Sequence, residues 1–375
     1  MTLKERIDDN GASTEPVIPE RLRRRAMEAA NEIEAAERLT PDMLELIYEE
    51  RLFKLFVPDE LGGRMTSLPD AARIFEEAAY LDGSFGWLVT IGSGGGFFAA
   101  TLPEATAKAL FSDRRAVIAG SGHATGIAEA VPGGYRVSGS WKYCSGSGYA
   151  SFFTANCIVK RTGEAPDSVL VPSPEIRSFA FLPEQVEIVR DWNAMGLKAT
   201  ESHTIRVSDV FVPQERTFDI ASPPRYDDPI YRYPFLPFAQ VSFAAVVLGL
   251  GRRYLDEADR LAHAKRAEWD RGYPGRFERV AGCIAERREL VTSAADLFYR
   301  TTQASWETFG TNGALADEVS REVGEACRAA ARTSVAGAQA LQPMLGMTAL
   351  MERETVNRVW RDLHTAAQHG VLNME

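Results

Sequence analysis

Three short stretches hold the residues whose types and spacing could do chemistry. The first is the run Gly134–Val159, in which Ser145, Gly146, Ser147 and Gly148 form a polar turn. Glycines let a backbone come close to a flat ligand, and the serines offer N–H and hydroxyl groups at short range. The same composition also serves an ordinary hairpin between two β-rich runs, Tyr135–Val137 and Phe152–Val159. The second is Asp191–Pro213, where Gly196, Thr200 and Ser202 precede a strand; a plain β-turn explains these residues equally well. The third is Trp360–Leu372, WRDLHTAAQHGVL, with His369 near its end. An imidazole there suits a base or a proton donor, because it titrates near neutrality. It also suits the C-terminus of a helix, where the dipole favours a cation.

Other residues read as structural. His203 follows the Thr200–Ser202 turn as an exposed strand histidine, while His364 and Arg361 are expected to pair with acids such as Asp362 or with a neighbouring subunit. The four cysteines show no CxxC spacing, and the five histidines form no HxxxH or HExxH pair, so no metal site is expected. A net charge of −10 argues against nucleic acid, whose phosphates need a basic surface. Arg21–Arg25 sits among glutamates and reads as a solvated helix face. The N-terminus has no apolar signal region, which points to a reducing cytoplasm. No GxGxxG follows a strand, so NAD(P)H is not expected to bind directly.

These groups have to be positioned by a chain of 375 residues, long enough for two or three packed subdomains. Residues 1–18 read as a flexible arm, and 19–115 as a helical domain with helices near Arg21–Arg38, Met43–Arg51, Leu68–Leu81 and Pro103–Phe111. Gly83–Pro103 carries no charge over 21 residues, but its six glycines fit a buried helix–turn–helix better than a membrane span. Residues 116–215 read as a β domain, including Ser168–Val171, Val186–Val189 and Thr204–Val212. Residues 216–375 return to helices, at Val241–Ala262, Arg276–Phe309, Ala314–Leu341 and Asn357–His369.

A WxxxSG turn in a central β segment, followed far downstream by RDxHTAxxH, resembles the acyl-CoA dehydrogenase superfamily. More narrowly, the chain resembles that superfamily's two-component, reduced-flavin-dependent monooxygenases, from about Pro19 to Leu372. The resemblance implies an α+β fold with an N-terminal helical domain, a central β-barrel or sandwich and a C-terminal four-helix bundle. It implies reduced FMN or FAD as cofactor and O₂ as co-substrate, with oxygen transferred by way of a C4a-(hydro)peroxyflavin. A separate NAD(P)H:flavin reductase, a small, largely apolar substrate (aromatic or amine-bearing) and a homotetramer are further implications.

Carried over by motif, Ser145 is expected near flavin N5, with Trp141 and Gly146 beside it, and His369 is the catalytic histidine. Gly196, Thr200 and Ser202 match a turn that packs near the flavin, and Lys198 stands where an arginine is common. Gly120, Ser121 and His123 lie where dehydrogenases carry a flavin-contacting loop, and Arg266 is a candidate for a neighbour's flavin phosphate. Dehydrogenases also need a carboxylate base. No YEGT-like sequence closes this chain, and Tyr231–Leu255 holds no Asp or Glu. An acyl-CoA dehydrogenase with an unusually placed base is the alternative, and a flavin-free binding module is a third reading. Where related aromatic hydroxylases place a histidine, a few residues after Trp87, this chain has Gly92–Gly96.

Overall fold

The structure is a computed structural model, and it describes residues 16–160 and 174–373. The expected strand Ser168–Val171 and most of the expected arm lie outside the described residues.

Among the described residues five helices come first: α1 (Glu20–Ala36), α2 (Pro41–Glu49), α3 (Leu68–Leu81), α4 (Gly83–Gly94) and α5 (Glu104–Phe111). Their starts follow from local chemistry. Ser67 caps α3 by accepting from Asp70 N, and the Asp82 carboxylate caps α4 by accepting from Phe85 N at 2.9 Å. The uncharged stretch Gly83–Pro103 forms α4 and a 3₁₀ turn, Gly95–Ala100, and is almost wholly buried.

Among the described residues one seven-stranded mixed sheet follows, in the order β5-β6-β2-β1-β3-β4-β7. Its strands are β1 (Ile118–Val131), β2 (Gly134–Cys144), β3 (Phe152–Lys160), β4 (Ile176–Phe181), β5 (Glu187–Val189), β6 (His203–Pro213) and β7 (Thr217–Phe218). The Ser145–Gly148 turn is not a hairpin. β2 pairs with β1 and β6, whereas β3 runs parallel to β1 and pairs with β4. The hairpin is β1–β2, turned at Gly133, whose φ of 81° suits a residue without Cβ. A Ser/Gly turn freed from hairpin duty therefore bridges two strands on either side of β1.

The sheet curls around its own core instead of forming two layers. Tyr135 and Trp141 of β2 meet Phe179 and Phe181 of β4, with ring centroids 5.2 and 6.0 Å apart, although two strands lie between them.

The C-terminal helices are α6 (Phe235–Gly272), α7 (Arg276–Asn312), α8 (Asp317–Leu345), α9 (Thr355–Ala366) and α10 (Gly370–Asn373). By length and composition α6 could cross a membrane, but 83% of its apolar window is buried in the fold. It packs against α3, α7, α8 and α9, so its all-round apolarity reflects a central position.

Candidate active site

The Ser145 turn and the Lys198–Thr200 turn are stitched together. Gly146 N donates to Thr200 O at 2.8 Å, Ser147 Oγ to Glu201 O at 2.7 Å, and Tyr149 Oη to Ala199 O at 3.1 Å. Ser145, Ser202 and Thr200 thus lie in a row, with Oγ–Oγ distances of 2.7 Å at both steps.

Proton counting fixes the direction of this row. Thr200 Oγ1 donates to Leu197 O at 2.8 Å, so its single proton is spent. Ser202 must then donate to Thr200, and Ser145 to Ser202. Trp87 Nε1 donates into the other end, to Ser145 Oγ, at 2.9 Å. Every hydroxyl proton in the row is committed, and Ser145 keeps one lone pair. It meets a ligand as an acceptor.

Ser202 also lines a cleft of about 190 Å³ with Lys142, Tyr143, Asp191, Trp192 and Thr204. Tyr143 is 68% exposed at φ 62° and meets Trp192 edge to face at 6.5 Å. Two aromatic faces, hydroxyls and one lysine fit a flat ring with polar edges, such as a flavin. Gly146, at φ 82°, leaves room beside Leu88.

A second wall, linked to the row through Trp87, comes from the helices. His369 follows α9 in a turn before α10, and its ring stacks on Phe243 of α6 with centroids 3.8 Å apart. Trp87 of α4 stands 5.7 Å from His369 and so joins the two walls. His369 Nδ1 is buried and has no hydrogen-bond partner among the described residues. Burial, reinforced by the charge of His123, pulls the imidazole down to about 4. The ring is neutral at pH 7, which favours the base role over that of a cationic proton donor. His123, on the irregular part of β1, is therefore close enough to be felt by His369.

The remaining expected residues go elsewhere. Trp141 is 1% exposed, donates to Asn156 O at 3.0 Å and packs inside the sheet, leaving no face for a ligand. Gly120 is glycine because a Cβ would overlap Thr154 O on the parallel partner β3. Ser121 Oγ accepts from His123 N within the β1 irregularity. Gly196 lets its loop press on the α9 backbone, where a Cβ would overlap Arg361 O. Arg266 sits near the end of α6, against Asp270 and over the Phe277 ring, and is not brought to the row within this chain.

Lys198 faces Glu34 of α1 and Glu37, just past its end, at 3.9 and 3.8 Å, a pairing that uses its charge within the protein. Arg361 pairs with Glu34 at 2.6 Å instead of Asp362. His364 Nδ1 lies 2.8 Å from Trp360 O. His203 is buried, not exposed, and its Nδ1 accepts from Trp192 N at 3.0 Å. Burial lowers its pKa, in keeping with a neutral ring that braces the cleft wall.

Three residues of this site escape sequence reasoning. Trp87 serves only as a landmark in the sequence, Phe243 is one apolar residue among many in α6, and Trp192 precedes the matched turn. The only signal was that Trp87 is the single indole of the uncharged stretch.

Fold and site together define the class. The acyl-CoA dehydrogenase N-terminal domain matches residues 18–106 and the acyl-CoA dehydrogenase C-terminal domain matches 241–374, together well over half of the chain. The chain belongs to the acyl-CoA dehydrogenase superfamily.

Within it, the chain is similar to an indole-3-acetate monooxygenase of Pseudomonas putida, 28% identical over 91% of this chain and 86% of the relative. It is also similar to the flavin-dependent monooxygenase oxygenase subunit HsaA of Rhodococcus jostii, 25% identical over 93% and 92% of the two chains. Among solved structures, XiaF from Streptomyces sp., in complex with FADH₂ and glycerol, shares the fold at a TM-score of 0.80. Identity there is 23%, over 94% of this chain and 89% of that one.

Proposed function

We propose that this protein is the oxygenase component of a two-component flavin-dependent monooxygenase. It uses reduced FMN or FAD, delivered by a separate NAD(P)H:flavin reductase, and O₂ to oxygenate a small, largely apolar aromatic or amine-bearing substrate. It works in the cytoplasm as a homotetramer. Support comes from the names of its relatives and from the absence of Asp and Glu in Tyr231–Leu255, where a dehydrogenase carries its base.

The observation that carries the reading is the one-way hydroxyl row. It leaves Ser145 an acceptor, which suits a ring nitrogen that bears hydrogen. The N5 of a reduced isoalloxazine does so, and that of the oxidised ring does not. When bound, a reduced flavin supplies two electrons to O₂, so that one oxygen atom enters the substrate and the other leaves as water.

The chain's own residues have narrower tasks. Trp87 and the row fix Ser145 Oγ; Tyr143 and Trp192 offer faces to the ring; Phe243 and Trp87 exclude water from the substrate side. His369 Nδ1, unpartnered and neutral, takes the proton of a substrate hydroxyl or amine as the new bond forms.

The test is anaerobic equilibrium binding of reduced and oxidised FMN and FAD, followed by O₂ with phenols, indoles and arylamines. Tighter binding of the reduced form by about tenfold, worth about 1.4 kcal/mol, and an oxygenated product are expected. Equal affinity for the two redox forms, or bleaching of bound oxidised flavin by an acyl-CoA thioester, would overturn the reading.

A further inference from the structure

Leu197 is the point on which the hydroxyl row ends, and every hydrogen-bonding group of its backbone is spent on the site. Its carbonyl accepts from Thr200 Oγ1 at 2.8 Å and from Trp192 Nε1 at 3.0 Å. One oxygen therefore anchors both the row and an aromatic wall of the cleft. Leu197 is left-handed, at φ 52°, as is Glu201 at 44°. A non-glycine residue holds such a conformation only where its surroundings fix it. Besides the bonds to its carbonyl, Leu197 is held through its N–H, which donates to Asp362 Oδ1 at 2.6 Å.

Asp362 belongs to α9, the helix that leads to His369. It is 2% exposed, and glycine packs on it from two sides: a Cβ at Gly83 would overlap its carboxylate, and one at Gly196 its backbone N.

We propose that Asp362 is the positioning residue of the hydroxyl row, gripping Leu197 so that Thr200, Ser202 and Ser145 hold their order. The proposal rests on the flavin-site reading for its purpose, but the grip itself is a property of the protein alone. Asp362 touches neither the row nor the cleft; it acts through Leu197.

The grip also responds to pH. The groups acting on Asp362 are Asp82 at the start of α4, Glu34 on α1 and Arg358 on its own helix. Burial, then Asp82, pushes the carboxyl up to about 7, while the Leu197 N–H favours the charged form. Where Leu197 N lets go while Asp362 stays buried, the ionised carboxylate is the stronger acceptor, so it holds Leu197 more tightly than the neutral acid does. The grip on the 191–203 segment tightens as pH rises through about 7.

The experiment is hydrogen–deuterium exchange of the ligand-free protein between pH 6 and 8, corrected for intrinsic rates, on wild type, Asp362→Asn and Asp362→Ala. Reduced-flavin affinity is measured alongside. In wild type, protection of 191–203 rises by roughly threefold to tenfold across neutrality, the gain of a charge-assisted over a neutral hydrogen bond. Asparagine keeps an acceptor for Leu197 N and loses the titration, so its protection is flat with pH. Alanine loses the protection at every pH, and its reduced-flavin affinity falls.

Identical exchange of 191–203 in alanine and wild type would overturn the proposal, as would the same pH dependence in asparagine and wild type. Should the alanine variant fail to fold, the asparagine comparison decides alone. Failure of wild type to bind flavin, with the exchange pattern as described, sinks the functional reading and leaves the grip standing.

Discussion

The two walls of the site are built on opposite rules. On the sheet side every donor of the row is committed: Trp87 N–H, three hydroxyls and the Leu197 carbonyl form one directed run. On the helix side His369 is pressed against Phe243 with its Nδ1 left unpartnered among the described residues. A satisfied network is rigid and specifies one geometry. An unsatisfied buried nitrogen is costly in the resting protein, and a substrate that binds there relieves that cost. The contrast separates holding from reacting. The sheet wall holds a ring, and the helix wall waits for a proton.

Breaking the reacting wall should have the larger effect. His369→Ala is expected to lower the rate of product formation by about 10²–10⁴-fold, the usual weight of general acid–base catalysis, with reduced-flavin affinity little changed. Product rates with a fixed flavin supply, set beside anaerobic binding curves, check this.

The pH profile should report the same wall. A neutral imidazole with a pKa near 4 keeps the His369-dependent rate flat from about pH 5 upward, instead of bending near 6.5. The sign for stability follows. Because the folded pKa lies below the unfolded one, the His369 contribution is fully present above about 6.5 and is lost as pH falls through 4. Thermal unfolding of wild type and His369→Phe across pH 4–7 measures it.

Breaking the holding wall costs less. Ser145→Ala strands the Trp87 N–H in a buried site, a cost of about 1–3 kcal/mol, and should reduce the preference for reduced over oxidised flavin to near unity. Calorimetry and the binding curves check the two parts. Thr200→Val is the smallest change: it leaves Ser202 without its acceptor and should cost about 1 kcal/mol of stability, about 1 °C in Tm.

Much of the fold was legible in the sequence. Leu68–Leu81 was read with its true ends because Ala71, Ile74, Phe75, Ala78 and Ala79 recur at helical spacing. Motif matching set Ser145 and the Thr200–Ser202 turn each beside a flavin without relating them to one another; the structure puts their hydroxyls in hydrogen-bond contact. What stayed hidden depended on pairing across long separations. The parallel β1–β3 pairing, which turns the Ser145 loop from a hairpin into a bridge, leaves no local pattern.

Trp141, expected beside a cofactor, proved to fill the curled sheet because Gly126 and Gly139 make room for its ring there. His203 was expected exposed because a lone strand histidine usually is; the Trp192 N–H that it serves lies eleven residues upstream. Asp362 sat in plain view within RDLHT, but its partner, the Leu197 N–H, is 165 residues away.

The most direct test of the two-wall account is a single-turnover experiment. Protein loaded anaerobically with reduced flavin is mixed with O₂ and an aromatic substrate, and product per flavin is counted for wild type, Ser145→Ala and His369→Ala. The account predicts that His369→Ala stays loaded with reduced flavin and makes almost no product. It predicts that Ser145→Ala loads poorly but still forms product from the fraction that loads. If His369→Ala formed product at the wild-type yield, the helix wall would not be the reacting one, and the account would be wrong at its centre.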